Sequence, residues 1–233
     1  MHQKLVVFTG AGISAESGIK TFRASDGLWE EHRIEDVATP EAFVRNPALV
    51  LEFYNLRRKQ VMAAQPNAAH VAIANLQDDF DVQVITQNID DLHERAGSKN
   101  VIHLHGEIMK ARSSRDETDF YSIQNGEINL GDTCKNGYQL RPHVVWFGEA
   151  VPMIERARIV AQQADIFIVI GTSLSVYPAA GLLHAAAPQI SKFLVDPGDF
   201  DLREYENVNH IQQNAVAGMG ELMERLDEFR NGG

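Results

Sequence analysis

The sequence predicts an α/β fold: a Rossmann-like parallel sheet with helices on both faces, plus a small module formed by two insertions. Three observations predict it. Short apolar runs alternate with helix-length segments, the rhythm of a parallel sheet. The first of them, residues 4–9, is continuous rather than alternating, which suits a central strand covered on both faces. The first run ends in a glycine turn, Gly10-Ala11-Gly12.

The elements follow in chain order. Residues 4–9 (Lys-Leu-Val-Val-Phe-Thr) form the first strand. Further strands are expected at 82–86, 101–104, 166–170 and 192–195. Helices are expected at 48–63, 67–78, 153–163, 178–187 and 215–229. Pro66 and Asn67 separate the first two helices, and Pro178 suits a helix start. Residues 24–75 read as helical and polar with no strand, and 107–142 are rich in Ser, Asp, Asn and Gly with weak periodicity. The expected division of the single domain is therefore a large part at 1–30, 76–106 and 143–233, and a small module at 31–75 and 107–142.

Composition sets outer bounds. The chain has 233 residues, 44% hydrophobic and 23% charged, enough for a substantial core. A formal net charge of −11 gives no general attraction for nucleic-acid backbones, so no nucleic-acid partner is expected. No apolar run reaches the roughly 18–20 residues of a membrane span. The first residues run straight into a strand and do not read as a signal peptide. The single cysteine, Cys134, excludes an intrachain disulfide and any four-thiolate zinc site. A cytoplasmic protein without membrane partners is expected.

Gly10-Ala11-Gly12-Ile13-Ser14-Ala15 fits G-x-G-x-x-G/A between a strand and a helix. Glycines there let backbone turn tightly and approach a pyrophosphate, which a helix N-terminus stabilises. Similar turns occur in α/β folds that bind nothing, so the motif alone does not fix a ligand. The expected acidic residue closing a second strand about 20 residues on is missing, because Thr21-Phe22-Arg23-Ala24-Ser25-Asp26-Gly27 reads as a loop. That argues against an ordinary hydride-transfer enzyme. Three more polar clusters lie at strand ends: Gln87-Asn88-Ile89-Asp90, His103-Leu104-His105-Gly106 and Gly171-Thr172-Ser173. Each alone reads as a cap, a buried histidine or a turn. In an open α/β sheet, however, the carboxyl ends of strands build the ligand crevice.

Together these motifs resemble the sirtuins, the NAD-dependent protein-lysine deacylases. The resemblance is carried by Gly10 to Ser14 with Ser17-Gly18-Ile19, Thr21-Phe22-Arg23, Gln87-Asn88-Ile89-Asp90, His105-Gly106, Arg141-Pro142-His143-Val144-Val145-Trp146-Phe147-Gly148-Glu149, and Gly171-Thr172-Ser173. It implies that Gly10, Ala11, Gly12 and Ile13 hold the NAD pyrophosphate, with Ser14 also among the NAD-binding residues. It puts Phe22 and Arg23 on a loop over the nicotinamide ribose. Gln87 and Asn88 would contact that ribose, and Ile89 and Asp90 would hold the carboxamide. Gly171, Thr172 and Ser173 would support the adenosine half, with Ala215 near the adenine. Val145, Trp146, Phe147, Gly148 and Glu149 would pair as a strand with an acylated-lysine peptide. His105 and Asn88 would be the catalytic residues, His105 taking a proton from a ribose hydroxyl after the acyl oxygen has displaced nicotinamide. The products would be free lysine, nicotinamide and O-acyl-ADP-ribose.

Two further features refine the expectation. Tyr54 and Arg57 lie three residues apart on one helix, hence on one face. They resemble the Tyr-x-x-Arg signature of the sirtuin class that removes acidic acyl groups, and Ala24 after Arg23 resembles that class too. Arg57 suits a carboxylate and Tyr54 carries a hydroxyl, so succinyl- and malonyl-lysine are the expected substrates, with weaker deacetylation. Most sirtuins also carry a zinc on two cysteine pairs. Here Ser113 and Ser114 stand in the first pair's place and only Cys134 near the second. One thiolate cannot make such a site, and Asp116, Asp132 and His143 match no familiar spacing, so no zinc is expected. The alternatives are mono-ADP-ribosyl transfer or NAD hydrolysis at the same site, or a non-catalytic NAD-binding sensor.

Overall fold

The computed structural model describes residues 2–20, 28–29, 32–115, 119–123, 126–174 and 176–230. The strands are β1 (Lys4–Thr9), β2 (Leu28–Trp29), β3 (His32–Arg33), β4 (Asp81–Thr86), β5 (Val101–His103), β6 (Gly106–Ser113), β7 (Phe120–Ser122), β8 (Leu140–Val144), β9 (Ile166–Ile170), β10 (Ser191–Val195) and β11 (Val208–Ile211). The helices are α1 (Gly12–Ala15), α2 (Ile34–Val37), α3 (Pro40–Arg45), α4 (Pro47–Ala63), α5 (Ala68–Asn75), α6 (Leu92–Ala96), α7 (Ile154–Gln162), α8 (Leu182–Ala185) and α9 (Ala215–Arg230). Single 3₁₀ turns at Leu76–Asp78 and Ala179–Gly181 complete the helical segments expected at 67–78 and 178–187.

Six strands make one parallel sheet in the order β11-β10-β9-β1-β4-β5. Alternate residues of the apolar runs face opposite layers, and both layers are buried. Leu5, Val7, Val84, Ile168 and Phe193 pack with α5 and α9, through Ile73, Met219 and Leu222. Val6, Phe8, Ile85, Phe167 and Leu194 pack with α7 and α8, through Ala157, Ala161 and Leu183. This is the physical reason β1 and β9 carry no polar alternation. The chain leaves β1 toward β4 and β5, then returns to its other side at β9. The crevice outside the carboxyl ends of β1 and β9 is therefore the topological switch point.

The two polar stretches depart from their expected form. Residues 24–75 include a strand pair, β2 with β3, registered Leu28 to Arg33 and Trp29 to His32. Residues 107–142 hold most of a three-stranded antiparallel sheet, order β7-β6-β8. Helix α5, within the expected small module, packs on the large sheet through Ala69 and Ile73. The small sheet is fastened to α4 by polar side chains. Arg58, fully buried, donates from Nε to Ile108 O at 2.8 Å and from Nη1 to Asn55 Oδ1 and Gly126 O. Asn55 in turn exchanges two hydrogen bonds with the Ile128 backbone. Burial pulls the Arg58 guanidinium down to about 10, still charged at neutral pH. Among the described residues no three His, Cys, Asp or Glu side chains gather as a metal site. No helix among them is long and apolar enough to cross a membrane.

Candidate active site

The loops after β1, β4, β5 and β9 meet in one cavity of about 310 Å³, within the usual range for small-molecule sites. Its wall includes Gly10, Ala11, Gly12, Ser14, Gln87, Asn88, Ile89, Asp90, His105, Gly171, Thr172 and Ser173. The four strand-end clusters named from the sequence thus converge.

The glycines have a reason beyond a ligand. A Cβ on Gly10 would lie 2.6 Å from Thr172 Cβ, and one on Gly12 would lie 2.6 Å from Gly171 Cα. Gly171 has φ +63°, and its own Cβ would strike the Ile13 amide. The two loops are locked together, with Gly12 N donating to Gly171 O at 2.8 Å and Gly10 N to Ile170 O at 3.0 Å. The first-turn amides of the short helix α1 are likewise engaged, Ile13 N with Gly10 O and Ser14 N with Ala11 O. The expected helix N-terminal cradle is thus mainly a bare-backbone wall.

Side chains brace that wall. Asn88 Nδ2 donates to Gly10 O and Ser14 Oγ, both at 3.1 Å, and Ser14 Oγ donates to Asp90 Oδ2 at 3.0 Å. Asp90 Oδ1 also accepts from Leu92 N, at the start of α6, at 3.2 Å. Burial raises the Asp90 carboxyl, opposed by these two hydrogen bonds. Gln87 Nε2 donates to Thr172 Oγ1 at 3.0 Å, joining the β4 loop to the β9 loop.

His105 is set by one contact. Its Nδ1 lies 3.0 Å from Gln87 O. A carbonyl only accepts, so Nδ1 carries the hydrogen and Nε2 keeps its lone pair. Burial lowers the pKa below the ordinary histidine value, against the pull of the Gln87 contact. The ring is therefore neutral at pH 7 and able to accept a proton.

Other expected site residues stand elsewhere. Ile13 and Ala215 are buried in the core beneath the sheet. Phe22, Arg23 and Ala24 lie outside the described residues. Arg57 lines the cavity, but Tyr54 is fully buried behind it and is not part of the wall. Tyr54 accepts a hydrogen bond from Trp146 Nε1 at 3.0 Å, and burial pushes its hydroxyl pKa well up. Val145 and Trp146 have no regular secondary structure, and a turn follows at Phe147 and Gly148, closed by Glu149 N to Trp146 O. Val145 N and Phe147 N donate to His105 O and Ala38 O. Glu149 accepts from Arg112, from both terminal nitrogens of Arg141, at 2.6 and 3.1 Å, and from Trp146 N at 2.7 Å. It is a brace, with Arg141 stacked on the Trp146 ring 3.2 Å from its centroid. Only Phe147 of this segment reaches the cavity. Ile19, Lys20, Val144 and Val176 also line it without having been singled out as contacts. Ile19 and Val144 stood inside motifs already quoted, whereas Lys20 and Val176 carried no signal.

The donor set suits NAD. Bare glycine backbone shares the wall with hydroxyls at Ser14, Thr172 and Ser173 and with the buried side chains of Asn88 and Asp90. The comparisons agree. Residues 10–178 match the model of the Sir2 family. An NAD-dependent protein deacylase of Bacteroides thetaiotaomicron is 50% identical over 229 residues, spanning 96% of this chain and 98% of that protein. One from Helicobacter pylori strain 26695 is 49% identical over 227 residues, spanning 97% and 99%. A crystal structure of a Sir2 homologue–NAD complex superposes with TM-score 0.87 at 39% identity, covering 99% of this chain and 91% of that one. A Sir2–p53 peptide–NAD⁺ structure superposes with TM-score 0.78 at 30% identity, covering 97% and 95%. With a family match over most of its length and relatives near half identical, this chain belongs to the Sir2 family.

Proposed function

We propose that this chain is a desuccinylase and demalonylase, with weaker deacetylase activity. The broader activity is that of an NAD-dependent protein deacylase, with NAD as co-substrate. The observation that carries the finer reading is Arg57 on the wall of the same cavity as His105, beside the apolar side chains of Ile19, Ile89, Val144 and Phe147. An apolar lining accepts a lysine stem, and a guanidinium favours a carboxylate at the acyl end. Tyr54 supports the reading from behind the wall, held by Trp146.

In this reading Gly10, Ala11, Gly12 and Ser14, with Gly171, Thr172 and Ser173, hold the dinucleotide. Gln87 and Asn88 face the ribose, while Ile89 and Asp90 face the carboxamide. Bound there, NAD would supply a ribose carbon open to displacement, the acyl oxygen bonding to it as nicotinamide departs. His105 Nε2 accepts the proton of a ribose hydroxyl. Asn88, fixed on Gly10 O, keeps the ribose side of the cavity in register. Phe147 covers the site against water. The test is a panel of acetyl-, malonyl- and succinyl-lysine peptides with and without NAD. The reading expects NAD-dependent turnover with succinyl and malonyl ahead of acetyl; acetyl ahead of both removes the acidic preference.

A further inference from the structure

Beside the catalytic histidine stands a second one with a parallel contact. His105 Nδ1 reaches Gln87 O, and His103 Nδ1 reaches Asn88 O, each at 3.0 Å. The two rings flank Leu104 and hold successive carbonyls of the segment that walls the cavity. His103 differs at its other nitrogen, where Nε2 lies 2.8 Å from Glu94 Oε1 on α6. A carbonyl and a carboxylate both only accept. Both contacts are hydrogen bonds only when both ring nitrogens carry hydrogen.

We propose that His103, held as an imidazolium between Glu94 and the Asn88 carbonyl, is a positioning residue for NAD. It is not on the cavity wall. It acts through Asn88, whose side chain holds Gly10 O and Ser14 Oγ, and Ser14 in turn holds Asp90. A neutral imidazole keeps one N–H. Either Asn88 O or the Glu94 carboxylate then faces a lone pair, and the strap that fixes three cavity residues loosens.

The surroundings favour the cation. Burial of the ring works against it, but the Glu94 hydrogen bond and charge, the Asn88 carbonyl and Glu107 on β6 outweigh burial and raise the His103 pKa. Asp90 and the neutral His93 also feel this ring, and Lys110 on β6 faces Glu94. The sign is fixed by that direction: the cation is complete below the ordinary histidine value and is lost as pH rises through the raised one. NAD binding is therefore expected to weaken on the alkaline side.

The proposal rests on the reading of Gln87 to Asp90 as an NAD wall, and the experiment separates the two. NAD affinity is measured by calorimetry from neutral to alkaline pH, with the His103 ring followed by NMR, in the wild type and in Glu94→Gln. That variant keeps an oxygen acceptor, removes the charge and changes a part-exposed residue. The expected result is a lower His103 midpoint, with the alkaline loss of NAD affinity moving down by the same interval. Between the two midpoints, the variant binds NAD about 5-fold more weakly or worse. The acid limb of turnover, set by His105, stays in place. A shifted midpoint with unmoved NAD affinity overturns the positioning role, as does a ring that is neutral throughout. Absence of NAD binding by the wild type at every pH overturns the wall itself. His103→Asn, which retains one donor, is expected to lose the alkaline limb and bind NAD weakly throughout; wild-type affinity in that variant overturns the proposal.

Discussion

Replacing Arg57 with methionine tests acyl recognition where the structure is most specific. Arg57 is 5% exposed and stands on the cavity wall, with Nη1 donating to Lys20 O at 3.3 Å. Methionine is unbranched and uncharged, and it fills irregular apolar space. A charge-assisted hydrogen bond to a substrate carboxylate contributes about 1.5–3 kcal/mol. At about 1.4 kcal/mol per factor of ten, kcat/KM for succinyl-lysine should fall about 10- to 150-fold. Acetyl-lysine carries no carboxylate. Its kcat/KM should change by about threefold or less, from repacking near Lys20 alone. The assay is steady-state kinetics on matched succinyl, malonyl and acetyl peptides at saturating NAD. An equal loss on all three refutes the reasoning, because it assigns Arg57 to the general shape of the cavity.

Trp146→Phe and Tyr54→Phe, alone and together, probe the buried contact behind Arg57. Each single change breaks the contact between Trp146 Nε1 and the Tyr54 hydroxyl, at a cost of about 1–3 kcal/mol, and the double change breaks it only once. Urea unfolding should show strong coupling; additive costs would show that the 3.0 Å contact contributes nothing. For His105, the lowered pKa places the acid limb of kcat/KM below the ordinary histidine value, full activity lying above it. An acid limb centred above about 6.5 contradicts a buried neutral base. His70, pulled down to about 4 by burial, and His93, pulled well below its ordinary value, are both neutral in the fold. The unfolded chain takes up these protons first, so the contribution of these two rings is complete above about pH 6.5 and is lost as pH falls toward 4. Flat unfolding midpoints across that window refute this.

Much of this architecture is legible from the residues, for identifiable reasons. Five of the six main strands are legible as short, mainly apolar runs because both faces of the sheet are covered. The sixth, β11, reads Val-Asn-His-Ile, with Asn209 exposed at the sheet edge, and so carries no such run. Strands β6, β7 and β8 hide because their sheet buries polar side chains, Arg112, Ser113 and Arg141 among them. Polarity that reads as loop is there the fastening of the module. At the site, strand-end position identifies Gln87, Asn88, Asp90, His105 and Gly171 to Ser173. Helical spacing puts Tyr54 and Arg57 on one face but does not tell which reaches the cavity; the Trp146 contact decides that. Glu149 is likewise invisible as a brace, since its partners Arg112 and Arg141 come from two different strands.

The most direct test of the central claim is mass spectrometry of all products from a succinyl-lysine peptide and NAD with the purified protein. The account predicts bare lysine, nicotinamide and O-succinyl-ADP-ribose in equal amounts, none without NAD, and none from His105→Ala. An ADP-ribosylated peptide, or free ADP-ribose with the acyl-lysine intact, would contradict it.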